Sequence, residues 1–235
     1  MKMLSTSFNW PLQWGNVFLR RLTDVMRGVI ERVNTMLVPP VRIGSTSSYT
    51  EFESDGTVKF YGGATVWQDI DFPIIIRTTG ANIPSLATLK GNVTAPQWAV
   101  NDFNVCEGQE MVHQWKEGSE VQWHVHVVTG GTDTADRYIR FEVEWTWAGF
   151  NAALPTTTVT TSADLKIPAN TADRTHLIFE VAKVTFAGTI GSHVWARLKR
   201  VAAVGTAPTA NPFCSMLQMH IECDTVGSRS ISSKA

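Results

Sequence analysis

The chain reads as an antiparallel β-sandwich or barrel preceded by one long α-helix, and three observations lead there. Apolar residues fall at helical spacing only between residues 12 and 37, where Pro39-Pro40 closes the stretch. After Val41 the pattern turns into strand-like runs separated by Gly, Pro, Asn and Asp, and no helical period returns. Nine Trp and eleven Phe against three Tyr favour an aromatic-packed β interior or a large subunit interface. Many strands with turn signals at intervals point to sheets packed on each other or closed on themselves.

The helix comes first. Phe18, Leu22, Val25, Val29, Val33 and Met36 form one apolar row, flanked by Trp14, Val17, Met26, Ile30 and Leu37. Asn9 is placed to cap it, with Pro11 in the first turn, where a missing N–H costs nothing. The span is about 38 Å at 1.5 Å per residue. The steps along the row are close to a heptad repeat. Its wide apolar stripe, its place outside the β pattern and the Pro-Pro break favour a helix that bundles with its own copies or inserts into a partner. Phe18, Leu22, Val25, Val29 and Val33 are the expected contact residues. Residues 1–40 are therefore read as an anchor or oligomerisation segment and 41–235 as the β domain.

Strands are expected at 57–61 and 64–76, split by Gly62-Gly63, with Asp71-Phe72-Pro73 marking an edge because proline cannot donate to a ladder. Residues 77–91 read as loop. Further strands follow at 93–105 and 110–115. A Thr-rich edge candidate covers 152–161, a polar loop runs to Arg174, and strands at 176–187, 192–204 and 213–224 close the domain.

The most regular alternation lies between 121 and 147. Val121, Trp123, Val125 and Val127, and then Ile139, Phe141, Val143, Trp145 and Trp147, are apolar at odd positions, while the even positions are polar. Strict period two signals strands with one buried face. With Gly130-Gly131 and Asp133 between them, the two runs read as a hairpin. Pairing Val125 with Val143 would set His126 beside Glu142 and His124 beside Glu144, a His/Glu face suited to a subunit contact.

Composition narrows the function. A formal net charge of −1 gives no global field for nucleic acid or an anionic membrane. No stretch of about 18 apolar residues is present to span a bilayer. Three cysteines, Cys106, Cys214 and Cys223, are an odd and unpatterned set, which points to a reducing cytoplasm rather than a disulfide framework. His124-x-His126, with Gly118 ahead of it, matches the start of a cupin-type metal motif, yet no Glu follows at the required short spacing. His113, His176, His193 and His220 are the other imidazoles available to converge. Asp69/Asp71 and Glu142/Glu144 are strand-spaced carboxylate pairs, more common on solvated sheets than in glycosidase sites. No nucleophile elbow, phosphate loop or dinucleotide fingerprint is present. Arg197, Lys199 and Arg200 read as a solvated basic cluster, and the tryptophans as core or interface before sugar platforms.

Several segments resemble a family of structural-module proteins of tailed bacteriophages, fibre-like virion appendages. They include Ala64-Thr65-Val66-Trp67-Gln68-Asp69-Ile70, His113-Gln114-Trp115-Lys116-Glu117-Gly118-Ser119, His124-Val125-His126 and Glu142-Val143-Glu144-Trp145-Thr146-Trp147-Ala148. Thr156-Thr157-Thr158, Ile167-Pro168-Ala169-Asn170-Thr171, Leu198-Lys199-Arg200-Val201 and Gly205-Thr206-Ala207-Pro208-Thr209-Ala210-Asn211-Pro212-Phe213 continue in the same order, ending at His220 and Asp224-Thr225-Val226-Gly227-Ser228-Arg229. The resemblance does not reach residues 1–45, and Val127-Val128 stands where an aromatic often follows the second histidine. It implies a jelly-roll-like sandwich, a homotrimer and no catalytic residues.

The expectation is a non-enzymatic virion protein, a head, neck or tail appendage held by its N-terminal helix. Its partners would be its own copies and other virion proteins such as portal, capsid, neck or tail, without nucleic acid, membrane, metal or cofactor. A carbohydrate-binding receptor module, contacting a host surface glycan, is the first alternative. A cupin-like metal-binding enzyme is the second.

Overall fold

The structure, a computed structural model, describes residues 17–36, 40–228, 230 and 233, with helix side chains described over 21–34. The helix start at 12–16, its Asn9/Pro11 cap, the Phe18 side chain and Pro39 lie outside the described residues. The chain divides into two units, Met1–Thr65 and Val66–Ala235. Residues 41–65, expected with the β domain, thus group with the N-terminal unit.

In the first unit, α1 spans Val17–Met36. A three-stranded antiparallel meander follows: β1 (Val41–Gly44), β2 (Tyr49–Phe52) and β3 (Val58–Tyr61). Four-residue strands are short for a sheet, and side chains reinforce this one. Buried Glu51 accepts hydrogen bonds from Arg42 Nε and, at 3.4 Å, from the Tyr61 hydroxyl, while Tyr49 and Tyr61 stack at 4.6 Å. The meander turns through a single 3₁₀ turn at Gly62–Ala64. No helix among the described residues is long and apolar enough to cross a membrane.

The second unit is a sandwich of two antiparallel sheets. Its strands are β4 (Val66–Pro73), β5 (Ser85–Lys90), β6 (Val93–Gln97), β7 (Phe103–Val105), β8 (Gln109–Glu110), β9 (Glu120–Val128) and β10 (Arg137–Ala148). The remainder are β11 (Thr158–Thr161), β12 (Leu165–Ile167), β13 (His176–Thr185), β14 (His193–Val201) and β15 (Phe213–Cys223). One sheet places β4, β15, β9 and β13 side by side, with the β5–β6 hairpin joined to β15 through Phe213 and Gln97. The other places β7, β14, β10 and β11 side by side, with β8 on β14 and β12 on β10. From β9 to β15 the long strands β9, β10, β13, β14 and β15 alternate between the sheets, and each sheet interleaves early and late strands. This is the jelly-roll order, and the expected mainly β sandwich with a leading helix is what the chain forms. It is a sandwich and not a barrel.

The core is the set of odd residues already visible in the sequence. Val121, Trp123, Val125 and Val127 face Ile139, Phe141, Val143 and Trp145, all buried. Trp123 and Trp145 meet across the two sheets at 6.0 Å, and Phe72 packs edge-on against Trp123 at 4.9 Å. Trp98 donates its indole N–H to the Cys214 carbonyl at 2.9 Å.

One expectation needs correction. β9 and β10 do not pair: β9 lies between β13 and β15, and β10 between β14 and β11. The two runs form an arch that crosses from one sheet to the other. Apolar faces that must both reach the core can do so as neighbours or as opposites, and alternation satisfies either. Residues 129–136 are long for a tight hairpin and long enough to bridge sheets about 10 Å apart. Smaller differences share a cause in weak patterning. Residues 85–90, expected in loop, form β5, an edge hairpin strand whose Leu86 is exposed. Most of 110–115 is turn anchored by buried Met111 and Trp115, leaving only β8 at its start.

Candidate functional site

The polar face of the β4–β15–β9–β13 sheet gathers the histidines. In β9, Val121 to Val127 point inward at odd positions, so Gln122, His124 and His126 point out. β15 presents Gln218 and His220 outward, and β4 presents Trp67, Asp69 and Asp71. Register then aligns them across the strands: Asp69, His220, Gln122 and Lys183 form one row, and Asp71, Gln218, His124 and Glu180 the next.

Gln218 is the hub. Its Oε1 lies 2.8 Å from His124 Nε2 and 2.5 Å from His126 Nε2, while its Nε2 donates to Asp71 Oδ1 at 2.5 Å. A carboxylate only accepts, so the amide nitrogen faces Asp71 and the oxygen faces the imidazoles. Both rings then donate from Nε2. In neutral His126 this leaves Nδ1 as an acceptor for His176 Nε2, 2.8 Å away. The hydrogen bonds run in one direction, from His176 through His126 and Gln218 to Asp71. Beside them His220 Nδ1 donates to Asp69 Oδ1 at 2.6 Å, and the ring stacks on Trp67 at 4.9 Å with 10° between planes.

Glu142 and Glu144 are elsewhere. They lie on β10, on the outer face of the opposite sheet, where Arg197 Nη2 bridges them at 3.4 and 2.9 Å. The expected His/Glu face therefore does not exist as one surface, because its two halves belong to different sheets. His113 sits 3.4 Å from Glu110 and His193 lies tilted against Trp195 at 4.2 Å, so neither joins the histidine group, whereas His176 and His220 do. The basic cluster also divides. Arg197 is taken up by the two glutamates, and Arg200 is buried, donating to the Trp98 carbonyl and, at 2.8 Å, to Asn211 Oδ1.

Among the described residues, no three His, Cys, Asp or Glu side chains gather in a group that could hold a metal ion. His124 and His126 converge on an amide oxygen. The three cysteines are free and buried, and burial pushes the Cys106 and Cys214 thiols up to about 12, far from thiolate reactivity. On α1, Leu22, Val25 and Val29 are 45%, 62% and 54% exposed, and Val33 is half-buried. Gln218, Asp69, Asp71 and Trp67 were not singled out as partners of the histidines on this face. Their parity marks them as outward-facing, but only the sheet order makes them neighbours.

No protein-family model matches the chain. No curated protein sequence matches it either. Among solved structures, a chain from infectious bursal disease virus, Gt strain, aligns with a TM-score of 0.31 and 7% identity over 77% of this chain and 41% of that one. A chain from the Gx strain aligns at 0.25 and 9%, over 79% of this chain and 65% of that one. The present chain thus spans less than two thirds of either.

Proposed function

We propose that this chain is a non-enzymatic structural subunit of a bacteriophage virion, a head, neck or tail appendage whose N-terminal helix bundles three copies or docks them on the particle. The exposed stripe of α1 carries this reading. Leu22, Val25, Met26 and Val29 follow one side of the helix at near-heptad spacing and are all exposed in the single chain. A lone helix of this length is marginal in water, since most helical stability comes from packing an apolar face. Burying each such side chain in a bundle contributes about 1.5–3 kcal/mol. The segment resemblance supports the phage setting, and the solidly packed aromatic core with an internally hydrogen-bonded polar face supports a scaffold over an enzyme.

Light scattering of the full chain at micromolar concentration tests it. A mass three times that of the chain is expected, and a strictly monomeric species overturns the reading. Leu22→Asp with Val29→Asp should release monomers while the thermal unfolding of the sandwich persists. A trimer that survives both changes would place the contact outside the helix.

A further inference from the structure

We infer that the shallow groove between Trp67 and Lys183 is a binding site for a neutral pyranose sugar of a glycan, an activity additional to the assembly role and independent of it. The groove has a volume of about 340 Å³ and is lined by Trp67, Glu120, Val121, Gln122, Lys183 and His220. These residues come from four adjacent strands and are brought together by register. His220 lies between Asp69 and Gln122, Gln122 beside Lys183, and Glu120 beside Thr185. A bulge between Glu180 and Ala182 reverses the phase of β13 and turns Lys183 onto this face.

The chemistry fits a polyhydroxylated ring. Trp67 is 53% exposed, and its stacking on His220 holds it as a firm aromatic plate for the C–H face of a sugar. Around it stand groups with hydrogen-bonding capacity to spare. Gln122 spends its Nε2 on Glu180, which leaves Oε1 as an acceptor. His220 spends Nδ1 on Asp69, which leaves Nε2. Among the described residues, the side chains of Lys183 and Glu120 form no hydrogen bond or ion pair, although their backbones belong to the β9–β13 ladder. One ammonium donor and several acceptors beside an apolar plate complement hydroxyls, each of which donates and accepts. A phosphate or polyanion fits poorly, because Glu120 and Asp69 offset the single lysine.

Saturation-transfer NMR on the full chain with methyl glucoside, methyl galactoside and methyl N-acetylglucosaminide, together with a neutral-glycan array, tests the site. At least one sugar should bind. Trp67→Ala should weaken that binding by about tenfold or more, and Lys183→Ala by a smaller factor. Trp67→Phe, which keeps an aromatic plate, should retain binding within a few-fold and guards against misreading a folding defect. Absence of binding to every probe, or binding that Trp67→Ala leaves unchanged, overturns the inference.

Discussion

Gln218 shows how much one side chain can organise. It accepts from two imidazoles and donates to a carboxylate, joining three strands through a single amide. Gln218→Met keeps the volume and removes all three bonds. Leaving His124, His126 and Asp71 without this partner on a half-buried face should cost about 1–3 kcal/mol, a fall in Tm of several degrees. His124→Gln with His126→Gln keeps donors facing the amide and should cost less, with the fold intact. Equal losses from the two variants in a thermal melt would show that Gln218 is no hub. The outward direction of His124 and His126 was readable from alternation alone. Their partners were not, because Asp71 and Gln218 lie far away in the chain and meet β9 only through sheet order.

At the scale of elements, the arch between β9 and β10 decides which polar side chains share a surface. Gly130 sits where the arch passes the chain before β15. A Cβ there would lie 2.1 Å from the Asn211 carbonyl oxygen, a backbone atom that cannot simply rotate aside. At Gly131 the nearest atom is the Ala210 Cβ at 3.3 Å. Gly130→Ala should therefore destabilise by about 1–3 kcal/mol and Gly131→Ala by distinctly less, as denaturant titration would report. Equal tolerance would mean that the arch is looser than this packing implies. The Gly-Gly signal marked a turn in the sequence, but a turn within a sheet and an arch between sheets use the same residues. The bulges at Ser215 and Val181 were hidden for a related reason. Each flips the inside-outside phase of its strand, so alternation read past them assigns side chains to the wrong face.

Across the whole molecule, partly buried carboxylates tie the loops at the arch end of the sandwich. A hydrogen bond from Lys166, with another from the Ala169 amide, holds Asp136 below the usual carboxylate range, and the Gly205 and Val204 amides do the same for Asp164. A carboxylate with a depressed folded pKa contributes stability that is present above its unfolded value, about 3.9, and is lost as pH falls through the folded value. Tm should therefore decline below about pH 4, by a modest amount because both groups stay partly open to solvent. Asp136→Asn combined with Asp164→Asn should flatten that decline, and an unchanged acid profile in the double variant would remove these two groups as its source.

The sequence by itself determined the class of the fold, the amphipathic helix ahead of it and the residues of the core, because period and polarity are local properties of a chain in contact with water. Which strands became neighbours was decided only by the tertiary structure. Two apolar faces can share a core from the same sheet or from opposite ones at equal local cost, and the choice depends on closing both sheets over one interior. That closure separated Glu142 and Glu144 from His124 and His126 and gave the histidines Gln218 instead. It also set Trp67, His220, Gln122 and Lys183 around one groove, although they lie on four strands and no stretch of sequence contains them all.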